Sequence, residues 1–301
     1  MSEVKVKDLF SLLRLFGTQA VIRVGFRPGQ FRPRAFVIDI LCLLYVALGG
    51  KLFFYWTGSD VPRTALLLKS PGAIAGYWSI PVTRYLLQHS KHCVAAPWLI
   101  KELAEFGCRA KSLPFPTPTD EFEEAGASHP EWPSEFTVLS YVPDHNYSNY
   151  CGDELAQLAR RMPNVQFRIM GGEGAWCDDC PPNLTFLGWA HAQDQYLKCV
   201  VVLRAVRHDA MGGTVREALL CGRYVLYTYP HPSAILLPEP DRSPNLIRDM
   251  EENLTHLREK FVCGRLPFNV EGRHWVMANL TEGVLAQRAA SFFSEELHEA
   301  D

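Results

Sequence analysis

The 301-residue chain has no apolar run long enough to cross a bilayer. Its longest, Ile40 to Leu48, is bounded by Asp39 and by Gly49-Gly50-Lys51, whereas a spanning helix needs about 20 apolar residues. A buried helix is the expectation. No signal-peptide pattern opens the chain, so the Asn-Leu-Thr triplets at Asn183, Asn253 and Asn279 are not expected to be glycosylated. The expected location is the cytoplasm, with a peripheral place at the inner face of the membrane as the alternative. Metal ligands are scarce as well. Cys177-Asp-Asp-Cys180 has zinc-like spacing, but no second pair completes four ligands, and there is no Asp-x-Asp element. Neither a metal nor a resident cofactor is expected. The nine cysteines are odd in number and several fall in apolar segments (Cys42, Cys93, Cys199, Cys221), the pattern of reduced thiols. Internal repeats of 20–50 residues are absent apart from a general alternation of strand and helix signals.

What is present suits a globular protein of two ordinary domains. Hydrophobic residues make up 48% and charged residues 21%, too apolar for a disordered chain. The net charge of −3 is unevenly spread. Residues 1–118 hold 15 Lys and Arg against 6 Asp and Glu, or +9; residues 119–301 hold 15 against 27, or −12. Two domains with different partners follow from that asymmetry. The basic half is read either as a face toward an anionic membrane or anionic substrate, or as scattered surface charge. No nucleic-acid partner is expected.

Taken in order, Val4 to Phe16 reads as a helix and Ala20 to Phe26 as a strand, followed by a basic loop, Arg27 to Arg34. Lys51-Leu-Phe-Phe-Tyr-Trp56 reads as a strand running into the loop Thr57-Gly-Ser-Asp60. Asp60 there is either a ligand-facing acid at a strand end or a turn and cap residue. Residues 63–90 give mixed signals. Lys91 to Ala96 is a strand, Trp98 to Phe106 a helix between Pro97 and Gly107, and Cys108 to Phe115 a strand. Prolines 114, 116, 118, 130 and 133 then punctuate an acidic stretch, the best linker. A second series follows: strands at Phe136 to Tyr141 and Val165 to Met170, a glycine turn at Gly171-Gly172, and a strand at Asn183 to Leu187. Helices are expected at 153–161, 193–198, 246–261 and 280–297.

Residues 204–223 are the stretch on which the rest turns. Cys199-Val-Val-Val-Leu203 before them is short and apolar, a strand buried on both faces. Tyr224 to Tyr229 after them is another strand. Between the two, Gly212-Gly213 makes a turn and Thr214 is placed to cap a short helix. A helix N-terminus then sits at a strand's carboxyl end, with unpaired N–H groups suited to a phosphate. Asp209 and Glu217 bracket the turn; Arg204, Arg207 and His208 lie beside it.

Four segments in order resemble the nucleotide-sugar-binding domain of GT-B glycosyltransferases, especially glycosyltransferase family 4. They are Val138-Leu-Ser-Tyr141, Phe167-Arg-Ile-Met-Gly-Gly172, Pro182-Asn-Leu-Thr-Phe-Leu-Gly188, and Asp209-x7-Glu217 followed by Ala218-Leu-Leu-Cys-Gly222. Tyr55 to Asp60, and Val94 to Leu103 with Gly107 and Pro114, resemble the first domain more loosely. The usual opening strand and glycine-rich loop are not visible before residue 20. The resemblance implies two Rossmann-like α/β domains with parallel sheets facing across a cleft. The expected division is a shortened first domain at 1–118, a linker at 119–134 and a donor-binding domain at 135–275. A C-terminal helix at 276–301 is expected to pack back toward the first domain.

That resemblance also implies a function: transfer of a sugar from a nucleotide-diphosphate donor to a glycan, lipid-linked or small-molecule acceptor, retaining and metal-independent. Glu217 takes the place of the glutamate that holds the ribose hydroxyls. Asp209 takes the place of the first acid, which contacts the donor sugar, and Asp60 faces the acceptor side; these two are the expected catalytic residues. Gly171, Gly172, Arg204, Arg207, His208, Gly212, Gly213 and Thr214 complete the expected donor site. The Arg and Lys that usually follow the first strand are missing from Val142 to Tyr150, so Arg204 or Arg207 is expected to supply the charge. Plainer roles stand beside these: a capping box for Thr214 and Glu217, an ion pair for Asp209, and an ordinary loop position for His208. The alternative function is a non-catalytic GT-B-like protein that binds a nucleotide or a partner. A weaker one is another α/β enzyme acting on phosphorylated sugars.

Overall fold

A computed structural model of the chain describes residues 18–26, 33–69, 79–128 and 130–298. The helix expected at Val4 to Phe16, and most of the basic loop after residue 26, lie outside them. The chain divides into two units: one runs through Phe115 and includes the segment from Ala286, and the other is Pro116–Leu285. Both are α/β, Rossmann-like units on parallel sheets.

The first sheet has strands β1 (Ala20–Val24), β2 (Lys51–Trp56), β3 (Lys91–Val94) and β4 (Ala110–Ser112), in the order β1-β2-β3-β4. All pairs are parallel, with Ile22 opposite Phe53 and Phe54 opposite His92. Leu52 to Trp56 are all buried, which is why β2 reads as an unbroken apolar run instead of an alternating one. His92 is held between two partners in this core: Trp56 Nε1 donates to its Nδ1 at 3.1 Å, and its Nε2 meets Leu87 O at 2.9 Å. The described part of residues 63–90 lies mostly in two helices, Asp60–Lys69 and Ser79–Gln88, and residues 70–78 lie outside the described residues. The closing segment seals the other side. Phe292 and Phe293 pack edge-on against Phe53, and Glu296 pairs with Lys91 at 3.0 Å and Lys111 at 2.6 Å.

The second sheet has β5 (Thr137–Tyr141), β6 (Gln166–Met170), β7 (Leu184–Phe186), β8 (Val201–Arg204), β9 (Tyr224–Tyr227) and β10 (Ile235–Leu236). Their order is β10-β9-β8-β5-β6-β7, again all parallel. Strand order therefore reverses between β5 and β8, the place where open α/β sheets leave a crevice at their carboxyl ends. Asn183 pins this unit from within. It is buried, and its side-chain amide donates to the carbonyls of Ala159, Met162 and Val165 at 2.8–3.0 Å. The stretch read as a linker packs here: it forms the helix Thr119–Glu124 with Phe122 buried, and Glu123 pairs with Arg273. A helix at Val270–Asn279, unmarked in the sequence, is capped by Asn269, whose side chain accepts from Gly272 N. The last helix is Glu282–His298. Among the described residues no helix is long and apolar enough to cross a membrane.

Candidate functional site

At the carboxyl ends of β5, β6 and β8, an opening of about 440 Å³ is lined by Tyr141, Tyr150, Gly171, Trp189, Tyr196, Arg204, the turn Gly212-Gly213-Thr214 and Glu217. Local chain chemistry builds it. Arg204 ends β8 and is buried; the chain then loops through Asp209 to the helix Gly213–Leu220. Met211 adopts a left-handed conformation (φ 56°), an uncommon state for a side-chain-bearing residue that sharpens the turn. The two glycines are there for space. A Cβ on Gly212 would strike the Arg204 guanidinium, and one on Gly213 would lie 2.5 Å from Glu217 Oε1.

Arg204 and Asp209 form a bidentate pair: Nε donates to Oδ2 and Nη2 to Oδ1, both at 2.7 Å. The Tyr227 hydroxyl donates to Asp209 Oδ2 at 2.6 Å, and Arg204 Nη1 donates to Thr214 Oγ1 at 2.9 Å. The guanidinium also lies over the Tyr150 ring, 5.3 Å from its centre. Burial would raise the Asp209 carboxyl, but Arg204 and the Tyr227 hydroxyl outweigh it and hold it down at about 2. The Tyr227 hydroxyl is in turn pushed well up, by burial and by Asp209. Asp209 is thus a permanent anion that aims a permanent cation at the opening.

Glu217 behaves differently. Burial raises its carboxyl above the ordinary range, although the Tyr196 hydroxyl, donating to Oε2 at 2.9 Å, and the two nearby arginines pull it down. Tyr196 is itself buried and is pushed well up by burial and by Glu217. With Oε2 engaged by Tyr196, the carboxylate keeps further lone pairs for two adjacent hydroxyls.

The helix start departs from the sequence expectation. Gly212, not Thr214, occupies the cap position, and no side chain caps it. Thr214 lies inside the first turn and accepts from Arg204 instead. The cap-box reading of Thr214 and Glu217 is therefore not realised; Gly212 N donates to Asp209 Oδ2 at 3.4 Å and Val215 N to Gly212 O at 3.2 Å, while Gly213 and Thr214 line the opening.

Other expected site residues are placed elsewhere. Arg207 is engaged by Glu154 at 2.5 Å, Asp241 at 2.9 Å and the carbonyl of Ser148, and does not line the opening. His208 is bracketed through its backbone by the Asn149 side chain. Gly171 lines the opening at φ 98°, with the Tyr141 ring where a Cβ would stand. Gly172 instead faces the Asp144 carboxylate, which accepts from the N–H groups of Glu173, Gly174 and Ala175 at 2.9–3.2 Å. Asp60 belongs to the first unit. It is 2% exposed and its carboxylate is occupied by the backbone N–H groups of Phe26, Thr57 and Gly58, a loop tie of the turn-and-cap kind. Among the described residues no cluster of His, Cys, Asp and Glu could hold a metal ion.

No protein-family model and no curated protein sequence matches the chain. Solved structures do. Sucrose-phosphate synthase from Thermosynechococcus elongatus superposes with a TM-score of 0.67 at 14% identity, over 100% of this chain and 82% of that one. HepE from Anabaena in complex with UDP-glucose gives 0.66 at 12%, over 95% and 82%. The pneumococcal O-GlcNAc transferase GtfA in complex with UDP and GlcNAc gives 0.52 at 12%, over 87% and 61%. The chain has the GT-B fold. Identities this low speak to architecture alone.

Within this GT-B chain, aromatic residues are what sequence reasoning missed. Tyr141 and Tyr150 meet edge-on, 5.4 Å between ring centres, and Tyr141 meets Trp189 at 6.3 Å. Trp189 is 77% exposed, an unusual state for so large an apolar ring. Its position directly after Gly188 was the available signal. Tyr196 and Tyr227 carried none, since each sits in an ordinary helix or strand pattern.

Proposed function

We propose that the chain is a glycosyltransferase that binds a nucleotide-diphosphate sugar in the opening at the reversal of its second sheet. The observation that carries this reading is the convergence of three groups on one opening. They are the helix start at Gly213 and Thr214, the Arg204 guanidinium aimed by Asp209, and the Glu217 carboxylate oriented by Tyr196. The nucleobase lies on Trp189, the ribose hydroxyls on Glu217, and the diphosphate at the helix start and Arg204. Breaking the sugar–phosphate bond builds negative charge on the departing nucleotide. Preorganised N–H groups and a guanidinium stabilise that charge without reorganising, so the reaction runs without a metal. Asp209 acts here as a positioning residue, because its lone pairs are taken by Arg204 and Tyr227. The sugar passes to a glycan, lipid-linked or small-molecule acceptor with retention, and the basic residues of 1–118 serve an anionic acceptor or membrane surface.

A nucleotide panel read by thermal shift tests the binding step, since a ligand of the native state raises the melting temperature. Glu217→Ala should weaken the preferred nucleotide about 10- to 100-fold, the loss of hydrogen bonds to a charged group, while the variant stays folded. Undiminished affinity in a folded variant contradicts the site.

A second reading has its own observation. Among the described residues lining the opening, Arg204 is the one cation, and its charge is already balanced by Asp209. A nucleotide-binding module without transferase activity is consistent with that economy. Slow hydrolysis of a nucleotide sugar by the purified chain favours the enzyme; saturable binding with no turnover favours the module.

A further inference from the structure

The loop between β6 and β7 starts at Gly171, in the wall of the opening, and carries the one Cys-x-x-Cys pair of the sequence. Cys180 is exposed and Cys177 half-buried, whereas six of the other seven cysteines are buried and Cys263 stands alone on the surface. Cys180 Sγ lies 2.8 Å from Cys177 O. Burial, and the Cys180 thiol beside it, push the Cys177 thiol up to about 12. The turn is already closed around them: Cys177 N donates to Gly174 O at 2.9 Å, and the Arg160 guanidinium holds the Asp179 carbonyl and carboxylate. Two links tie this loop to the wall of the opening. Asp144 accepts from three of its N–H groups, and Trp176 stacks on Tyr147 at 5.6 Å and 5°. Both Asp144 and Tyr147 belong to the 3₁₀ segment Asp144–Tyr150, whose last residue lines the opening.

We propose that Cys177 and Cys180 are a reversible dithiol–disulfide pair, oxidised by low-molecular-weight disulfides, and that the bond orders the loop that carries Gly171. The exposed Cys180 thiolate attacks one sulfur of the oxidant and expels a thiolate. Cys177 then loses its proton and attacks Cys180 Sγ, expelling the second thiolate. Two protein thiols become one disulfide, the oxidant's disulfide becomes two thiols, and the two protons end on the thiolates released. Asp178 and Asp179 lie between the two cysteines, so a cationic oxidant is favoured over an anionic one. Ordering the loop in advance tightens nucleotide binding, because less freedom is lost on association; this last step rests on the proposed nucleotide site.

The test uses the full chain, treated with cystamine or with oxidised glutathione, then alkylated and weighed. Alkylated cysteines should fall from nine by two, in a peptide holding both Cys177 and Cys180, and cystamine should act at least about threefold faster at low salt. Amide exchange across 172–180 should slow on oxidation, and not in Cys180→Ser. UDP affinity should rise about threefold in the oxidised form. Nine alkylated cysteines after treatment, or an adduct on one cysteine without the internal bond, overturns the pair. Unchanged exchange across 172–180 in the oxidised form overturns its ordering role. Absence of UDP binding by both forms, with the thiol and exchange results as expected, overturns the nucleotide reading and leaves the pair standing.

Discussion

The two sheets are built alike, and among the described residues the second ends at its strands' carboxyl edge in an opening lined by Arg204 and Glu217. In the first, β1 to β4 follow sequence order, without a reversal. In the second, the order turns back between β5 and β8, and the loops after those strands part. Each sheet has a buried acid near a strand end. Asp60 spends its carboxylate on the N–H groups of its own loop and of Phe26. Asp209 spends its carboxylate on Arg204, and through it points a charge at the opening. The same residue type is scaffold in one place and electrostatic support in the other, and the strand order around it makes the difference.

The largest expected effect comes from Arg204→Met, which leaves Asp209 buried without its counter-charge. Breaking such a pair costs about 3–5 kcal/mol, or roughly 10 °C in melting temperature for a unit of this size. Adding Asp209→Asn should restore at least half of the loss. A melting temperature that stays put in the single variant would erase the contrast with Asp60.

Next in size is a pH effect in the second unit. His231 is buried, its Nε2 has no hydrogen-bond partner among the described residues, and burial pushes its pKa from 6.5 down to about 4. Protonation therefore favours the unfolded chain. The contribution is complete above about pH 6.5 and is lost as pH falls toward 4, worth up to about 3 kcal/mol. Urea titrations across that window should show stability falling with acid, and His231→Gln should flatten the slope.

Asp60→Ala should cost about 2 kcal/mol by stranding buried N–H groups, with nucleotide affinity unchanged. A shift in affinity without a stability loss would move Asp60 from scaffold to site. The smallest effect is expected for Trp189→Ala: about tenfold weaker nucleotide binding, from lost stacking, at an unchanged melting temperature. Equal affinity would remove the exposed ring from the binding surface.

Much of this was legible in the residues. The apolar runs at Lys51 to Trp56 and Cys199 to Leu203 mark central parallel strands, and the alternation of strand and helix signals gives the α/β class. The turn Gly212-Gly213 and its neighbour Glu217, which line the opening, were legible because turn chemistry is local. Residues 63–90 were illegible because their helices mix apolar and polar positions without a clean stripe. The helix Val270–Asn279 was missed because its cap, Asn269, is one polar residue among many. Arg207 was misread for a different reason: a basic residue beside a phosphate-like turn looks free until Glu154 and Asp241, distant in sequence, are brought against it.

By itself, then, the sequence determined the strand runs, the glycine turn, and the acid and bases around it, since each depends on neighbours within a few positions. The tertiary structure decided which charges face the opening and which are spent elsewhere. Arg204 meets Tyr150, Asp209 meets Tyr227, and Glu217 meets Tyr196, only after the sheet has set its strands in an order that the chain does not follow. A charge's role depends on what desolvates and pairs it, and those partners arrive from far along the chain.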